Sequence, residues 1–223
     1  MVAVLEVFDS EYSTPSLEQV CRRTGLPRST AHRILDQLIA RNWVTRAATG
    51  YRLGAGPLYL AGARAIRSVL CATAAPILEG LARTSGRGVQ LALMDGADIR
   101  YLDQFGAGSG ALVGQRAPAH RTALGKAMLA RMCPDDVDQL YCAARGVPPR
   151  RELHAELFQV RSRRGVAIER GEYVAGLACV SAALQVPAGP VAAISAVGDP
   201  GTRIERLIPA VVAAARGIEK ALR

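Results

Sequence analysis

The sequence predicts an α+β chain: a winged helix-turn-helix, then a linker helix, then an antiparallel sheet with helices against it. Three observations carry this. Helix, helix, turn, helix and hairpin signals follow one another between Val2 and Leu53, and a Gly54-Ala55-Gly56-Pro57 cluster then interrupts the chain. Beyond it, paired apolar runs are interspersed with helical stretches, the pattern of a sheet covered by helices.

In chain order, Val2 to Phe8 reads as the end of an apolar helix whose abrupt start leads us to expect a segment upstream. Ser16, followed by Leu17-Glu18-Gln19, forms an S-x-x-Q capping box that opens a second helix through about Thr24. Gly25 ends it, and Leu26-Pro27 leads into a third helix from Arg28 to about Ala40. Trp43 to Arg46 and Tyr51 to Leu53 alternate like strands around a turn that ends in Gly50. Leu58 to Leu70 reads as the linker helix and Pro76 to Thr84 as a separate one. Val89 to Met94 and Ile99 to Gln104 flank Asp95-Gly96, a hairpin signal. A glycine-rich loop runs to Gly114, followed by helices at Thr122–Met132, Pro134–Tyr141 and Glu152–Arg164. Gly176–Val186 and Pro190–Val197 form a second strand pair around Pro187-Ala188-Gly189, and a last helix spans Arg203 to Leu222. The expected domains are 1–56 (winged helix-turn-helix), 57–72 (linker helix) and 73–223 (antiparallel sheet with helices).

The 223 residues are half hydrophobic, enough for a sizeable core and against wholesale disorder. No uninterrupted apolar run of about 18 residues occurs, and we expect a soluble, cytoplasmic protein. Cys21, Cys71, Cys133, Cys142 and Cys179 are odd in number and scattered, which argues for reduced thiols and against a zinc cage. The net charge is +9, and its placement matters more than its size. Arg22, Arg23, Arg28, Arg33, Arg41, Arg46 and Arg52 fall in one short segment opposed by Asp36 alone, as a phosphate-binding surface requires.

Within that segment, Cys21 and Ala31 are small enough for two helices to cross closely, and Gly25 supplies the positive φ of the turn. Val20, Leu26, Ile34, Leu35 and Leu38 provide buried side chains. The third helix then presents Arg28, Ser29, Thr30, His32 and Arg33 from its N-terminal part, where a recognition helix meets base edges. Arg46 and Arg52 on the wing suit an adjacent phosphate backbone.

Arg23-Thr24-Gly25-Leu26-Pro27-Arg28-Ser29-Thr30-Ala31-His32-Arg33-Ile34-Leu35 resembles the signature of IclR-type regulators. The resemblance continues through Tyr51-Arg52-Leu53-Gly54, Thr122-Ala123-Leu124-Gly125-Lys126-Ala127, Arg163-Arg164-Gly165, Gly176-Leu177-Ala178-Cys179 and Ala192-Ala193-Ile194-Ser195, in the family's order. It implies a GAF-like effector domain after the linker helix, and a homodimer or homotetramer on operator DNA. It also implies an effector pocket, at positions that here are Ala117, Ala123, Leu124, Glu169, Leu177, Cys179 and Ser195. Backbone N–H groups at the start of the Thr122 helix favour an anion there. Departures from the family's pattern are Arg87 in place of an acid, Val197 in place of a second serine, and a thinned acidic run at Glu169-Arg170-Gly171-Glu172. They point away from a glyoxylate-like ligand or a metal, and towards a larger organic or aromatic acid.

We expect neither cofactor nor catalysis. Gly106-Ala107-Gly108-Ser109-Gly110 lacks the spacing and following helix of a dinucleotide loop. Gly125-Lys126 lacks the P-loop's first glycine, since position 120 is His, and Ala127 replaces its Ser or Thr. Two alternatives stay open: a thiol- or metal-dependent enzyme built on the second domain, with Cys179 and His120 or His154, and a winged fold used for protein contacts.

Overall fold

The computed structural model describes residues 2–8, 13–47, 49–106, 112–142, 148–187 and 190–223, with only the backbone at 2 and 55–64. The chain divides into two compact units, Met1–Ile66 and Arg67–Arg223.

The first unit starts with α1 (Val2–Leu5) and α2 (Leu17–Thr24). Both halves of the capping box form: Ser16 Oγ accepts the Gln19 N–H, and Gln19 Oε1 accepts the Ser16 N–H at 2.7 Å. Gly25 closes α2 at φ 70°, a conformation that costs an L side chain. In α3 (Arg28–Ile39), Ala31, Leu35 and Leu38 are buried along one stripe, which packs with Val4, Val7, Phe8, Val20, Val44 and Tyr51. Leu26 and Ile34, expected in the core, lie half-buried at its margin. The wing is β1 (Val44–Ala47) paired with β2 (Gly50–Leu53). It is pinned to the segment before α2, because the Tyr51 N–H donates to the Pro15 carbonyl at 2.9 Å. A Cβ at Gly50 would lie 2.4 Å from that same oxygen, so the close approach needs glycine.

The linker helix and its successor are one element, α4 (Ala55–Ser85). Neither proline stops it: Pro57 falls in the first turn, where its missing N–H has no intrahelical acceptor, and Pro76 forgoes a single bond. Its stretch Ala65–Ser85 is long and apolar enough to cross a membrane by length and composition alone. Yet Leu70, Ala74, Leu78 and Leu81 recur at helical spacing and are buried in the second unit. The side chains of Leu58 and Leu60 lie outside the described residues.

The second unit is an antiparallel sheet in the order β5-β4-β3-β8-β7-β6, built from β3 (Gly88–Asp95), β4 (Asp98–Phe105), β5 (Arg116–Pro118), β6 (Val166–Arg170), β7 (Ala178–Leu184) and β8 (Ala192–Gly198). The β3–β4 loop is Gly96-Ala97, with Asp95 paired to Asp98 and Gly96 at φ 65°, so glycine holds the first central position of the turn. β5 and β6 went unpredicted. Helices α5 (Ala123–Leu129), α6 (Pro134–Tyr141) and α7 (Arg150–Ser162) sit over one face, with Ala127, Met128, Val137 and Leu157 in a shared core. The last helix, α8 (Ile208–Ala221), follows a single 3-10 turn at Ile204–Leu207 and packs on β7 and β8. Of the expected loops, residues 107–111 of the glycine-rich run and 188–189 of the β7–β8 connection lie outside the described residues.

Candidate functional site

Burial of the Ala31-Leu35-Leu38 stripe leaves Arg28, Ser29, His32 and Arg33 of α3 exposed and Thr30 half-buried. Pro27 precedes the helix without a side-chain cap, so the N–H groups of its first turn keep no intrahelical or capping acceptor. Arg28, Ser29 and His32 line an open groove with Leu17 and Tyr51. The wing residues Arg46 and Arg52 are also exposed. Asp36, the acid standing among these arginines, pairs with Arg46 at 3.1 Å and with His32 Nδ1 at 2.9 Å. Arg46 is thus tied to α3 instead of standing free on the wing. Arg28, Arg33 and Arg52 have no ion pair among the described residues.

The second site grows from sheet register. Glu169 of β6 pairs with Cys179 of β7, and Cys179 with Val197 of β8, so the three share one rung and one face. Two residues along, Ser195 of β8 pairs with Gln90 of β3, which puts them on the same face. A bulge between Leu91 and Ala92 shifts the β3–β4 register, so Ala92 faces Tyr101, which turns Tyr101 towards this face. Gln90, Tyr101, Glu169, Cys179, Ser195 and Val197, with Leu112, Thr122, Ala123, Leu124, Tyr173, Val174 and Leu177, line a narrow cavity of about 30 Å³ that opens to solvent.

Ala123, Leu124, Glu169, Leu177, Cys179 and Ser195 are therefore brought together as expected. Ala117 is not. It sits in the edge strand β5 opposite Ile99 and is buried in the core beneath α5, away from the cavity wall. The lining residues missed by sequence reasoning differ in legibility. Gln90 is a polar residue inside the apolar run Val89–Met94, a usable signal. Tyr101 reaches the cavity through a bulge no local pattern announces, and Tyr173 and Val174 follow a strand that was not expected.

The cavity's polar groups are deeply placed. Ser195 is fully buried and donates its hydroxyl to Gln90 Oε1 at 3.1 Å. Glu169 is 4% exposed, and its Oε1 accepts the backbone N–H groups of Glu172 and Tyr173. Among the described residues, the lining holds no Lys or Arg. Thr122 caps α5 by accepting the Gly125 N–H at 3.0 Å, leaving the Ala123 and Leu124 N–H groups in the first turn beside the cavity. Burial, then the Glu169 charge and a hydrogen bond to it, push the Cys179 thiol up to about 12. Burial likewise raises Tyr101.

A raised thiol is the opposite of what a nucleophile needs. The two histidines weighed as its base are engaged elsewhere: His154 contacts Asp138 at 2.8 Å, and His120 stacks edge-on against Tyr141. Among the described residues no group of three or more His, Cys, Asp and Glu side chains is placed to hold a metal.

The motif Gly125-Lys126 has a structural explanation. A Cβ at Gly125 would lie 2.1 Å from the Ala119 carbonyl oxygen, so glycine lets α5 abut the turn before it. Lys126 is 4% exposed and pairs with Glu172 and, at 3.1 Å, with Glu156. The departures from the family's pattern also find partners: Arg87 pairs with Asp199 at 3.3 Å and Arg170 with Glu205 at 2.7 Å.

Comparison with known proteins bears on both units. Residues 64–220 match the family described as bacterial transcriptional regulator IclR C-terminal, and residues 1–48 match the IclR helix-turn-helix domain. The transcriptional repressor IclR of Escherichia coli is 29% identical over 218 residues, covering 90% of this chain and 78% of the repressor. The acetate operon repressor of Salmonella typhimurium is 28% identical over the same length and coverage. Among solved structures, an IclR homologue from Microbacterium hydrocarbonoxydans complexed with 4-hydroxybenzoate superposes with a TM-score of 0.64 at 25% identity, covering 100% of this chain and 97% of that one.

Proposed function

The chain belongs to the IclR family of DNA-binding transcriptional regulators, and from that premise we propose that its second unit senses a small organic acid, aromatic or otherwise partly apolar, that alters operator affinity. The observation that carries this is the convergence of Gln90, Glu169 and Ser195 with the apolar Leu112, Leu177 and Val197 on one cavity beside the start of α5. With no Lys or Arg among the described lining residues, the Ala123 and Leu124 N–H groups are the natural partners of a carboxylate, with its apolar body against Leu177 and Val197. The 4-hydroxybenzoate held by the Microbacterium homologue supports an aromatic acid of that size.

On the DNA side, Arg28, Ser29, Thr30, His32 and Arg33 read the major groove while Arg52 and, once it leaves Asp36, Arg46 meet phosphates, in a homodimer or homotetramer that engages two half-sites. We read the effector as a signal that is not consumed, a reading supported against thiol chemistry by the raised Cys179 thiol and by the engagement of His120 and His154 elsewhere.

The test is a thermal-shift screen of carboxylic acids that includes 4-hydroxybenzoate, followed by mobility shifts on the adjacent intergenic DNA with and without each hit. A hit should stabilise the protein by about 2.7 kcal/mol at roughly a hundredfold excess over its Kd, and should change DNA affinity. Stabilisation with no effect on DNA binding at any sequence would overturn the reading, and mass-spectrometric conversion of the hit would favour an enzyme.

A further inference from the structure

The segment 171–177, between β6 and β7, is a closed loop. The Gly171 N–H donates to the Leu177 carbonyl at 2.8 Å across its neck, and Gly171 and Gly176 both adopt positive φ. Tyr173, Val174 and Leu177 line the cavity, so this loop forms part of its wall, yet most of the loop is exposed, and of its side chains Tyr173 packs against the apolar core. Polar contacts hold the rest. Glu169 accepts the Glu172 and Tyr173 N–H groups, Arg121 donates to the Glu172 carbonyl, and Lys126 pairs with the Glu172 carboxylate.

Lys126 lies on α5, the same short helix whose Ala123 and Leu124 line the cavity. It therefore ties the outer wall to the floor without itself lining the cavity. Its second partner, Glu156 of α7, is half-exposed and lies outside the loop, so the pair does not depend on a loop residue. A buried ammonium stripped of every partner is strongly disfavoured. Glu156 removes that obstacle, so the loop can swing out while Lys126 remains paired.

We propose that Lys126 is a positioning residue for effector binding: its ion pair with Glu172 latches loop 171–177 over the cavity, and Glu156 keeps the ammonium neutralised when the latch opens. The inference rests on the cavity being the effector site, but the latch is measurable without any ligand.

The experiment is hydrogen exchange of the amides of Tyr173 to Leu177 in the full chain. Glu172→Gln should speed exchange there about tenfold, through loss of local protection, while Glu156→Gln should leave it within about twofold of the parent. High salt should move the parent towards Glu172→Gln and leave that variant unchanged, a response that loss of packing would not give. Equal exchange in all three proteins, or equal acceleration by both substitutions, overturns the latch. Adding 4-hydroxybenzoate then separates the two claims. Protection of these amides in the parent and less of it in Glu172→Gln supports the latch as an effector gate. A latch seen in the free protein, with no protection by 4-hydroxybenzoate or by any acid that shifts the melting temperature, overturns its role in effector binding.

Discussion

Asp36 of the recognition helix holds Arg46 of the wing at 3.1 Å, and so sets one acid against the charge that α3 and the wing present together. Both side chains are substantially exposed, at 47% and 64%, so the pair contributes little to stability. Its consequence lies in binding. Asp36→Asn should release both Arg46 and His32 and strengthen binding to DNA of any sequence, with the salt dependence steepened by about one phosphate contact. Arg28→Ala and Arg33→Ala should instead each cost about 1–3 kcal/mol on the specific site if their guanidiniums meet bases. Salt titrations of the mobility shift on specific and scrambled DNA measure both effects. Unchanged specific binding in the Arg28→Ala/Arg33→Ala double variant would remove α3 from the reading role.

Two glycines should answer an alanine very differently. Gly125→Ala forces a methyl to within 2.1 Å of the Ala119 carbonyl oxygen, where backbone has to move. Overpacking of that kind costs about 1–3 kcal/mol, and here it also displaces the helix start that borders the cavity. Gly25 has nothing within 4 Å of its would-be Cβ, so Gly25→Ala should lose only the left-handed preference, about 1 kcal/mol. Urea denaturation of the two variants should show the larger loss at Gly125, and the reverse order would contradict the packing argument.

The elements easiest to read from sequence were those whose signals are local. The Ser16 box, Gly25 and the α3 stripe lie within a few residues of one another, and each acts through its own hydrogen bond or face. Pro57 with its neighbouring glycines reads as a boundary and Pro76 as the start of a separate helix, because sequence shows a proline's type and not its place in the turn. β5 is a three-residue edge strand, too short to show alternation. For the cavity, the family resemblance supplied positions such as Glu169 and Ser195 that no local pattern marks. Ala117, which the resemblance also implies, does not line this cavity, because the pairing of β5 with β4 decides where that side chain goes. Tyr101 was invisible for a related reason: the β3–β4 register decides its face.

Cys179 should resist alkylation. Its thiol is raised to about 12 from an ordinary value of 9.0, so the folded protein keeps it protonated over the range in which a free thiol ionises. The sign follows: this group's contribution to stability is complete below about pH 9 and is lost as pH climbs from there towards 12. Cys133 and Cys142 are exposed. At pH 8, iodoacetamide should modify those two first and leave Cys179 untouched until the protein unfolds. Peptide mapping that found Cys179 labelled as fast as Cys133 would show the cavity open and the thiol activated.

Ser195 and Leu177 separate a structural role from a binding one within the same cavity. Ser195 is fully buried and gives its hydroxyl to Gln90 Oε1, so Ser195→Ala leaves that oxygen without its donor at a cost of about 1–3 kcal/mol. Replacing both partners, as Ser195→Ala/Gln90→Leu, should recover much of the loss, because no buried acceptor is then stranded. Leu177 is only half-buried at the cavity wall, so Leu177→Trp should change stability little while its larger side chain occupies the space beside Val174 and Cys179. If the cavity holds the effector, Leu177→Trp abolishes the thermal shift given by an acid such as 4-hydroxybenzoate, whereas the Ser195→Ala/Gln90→Leu double variant keeps a shift and loses affinity. Titration calorimetry on these variants, beside their urea midpoints, distinguishes the two roles. A ligand that binds Leu177→Trp as tightly as the parent would place the effector outside this cavity.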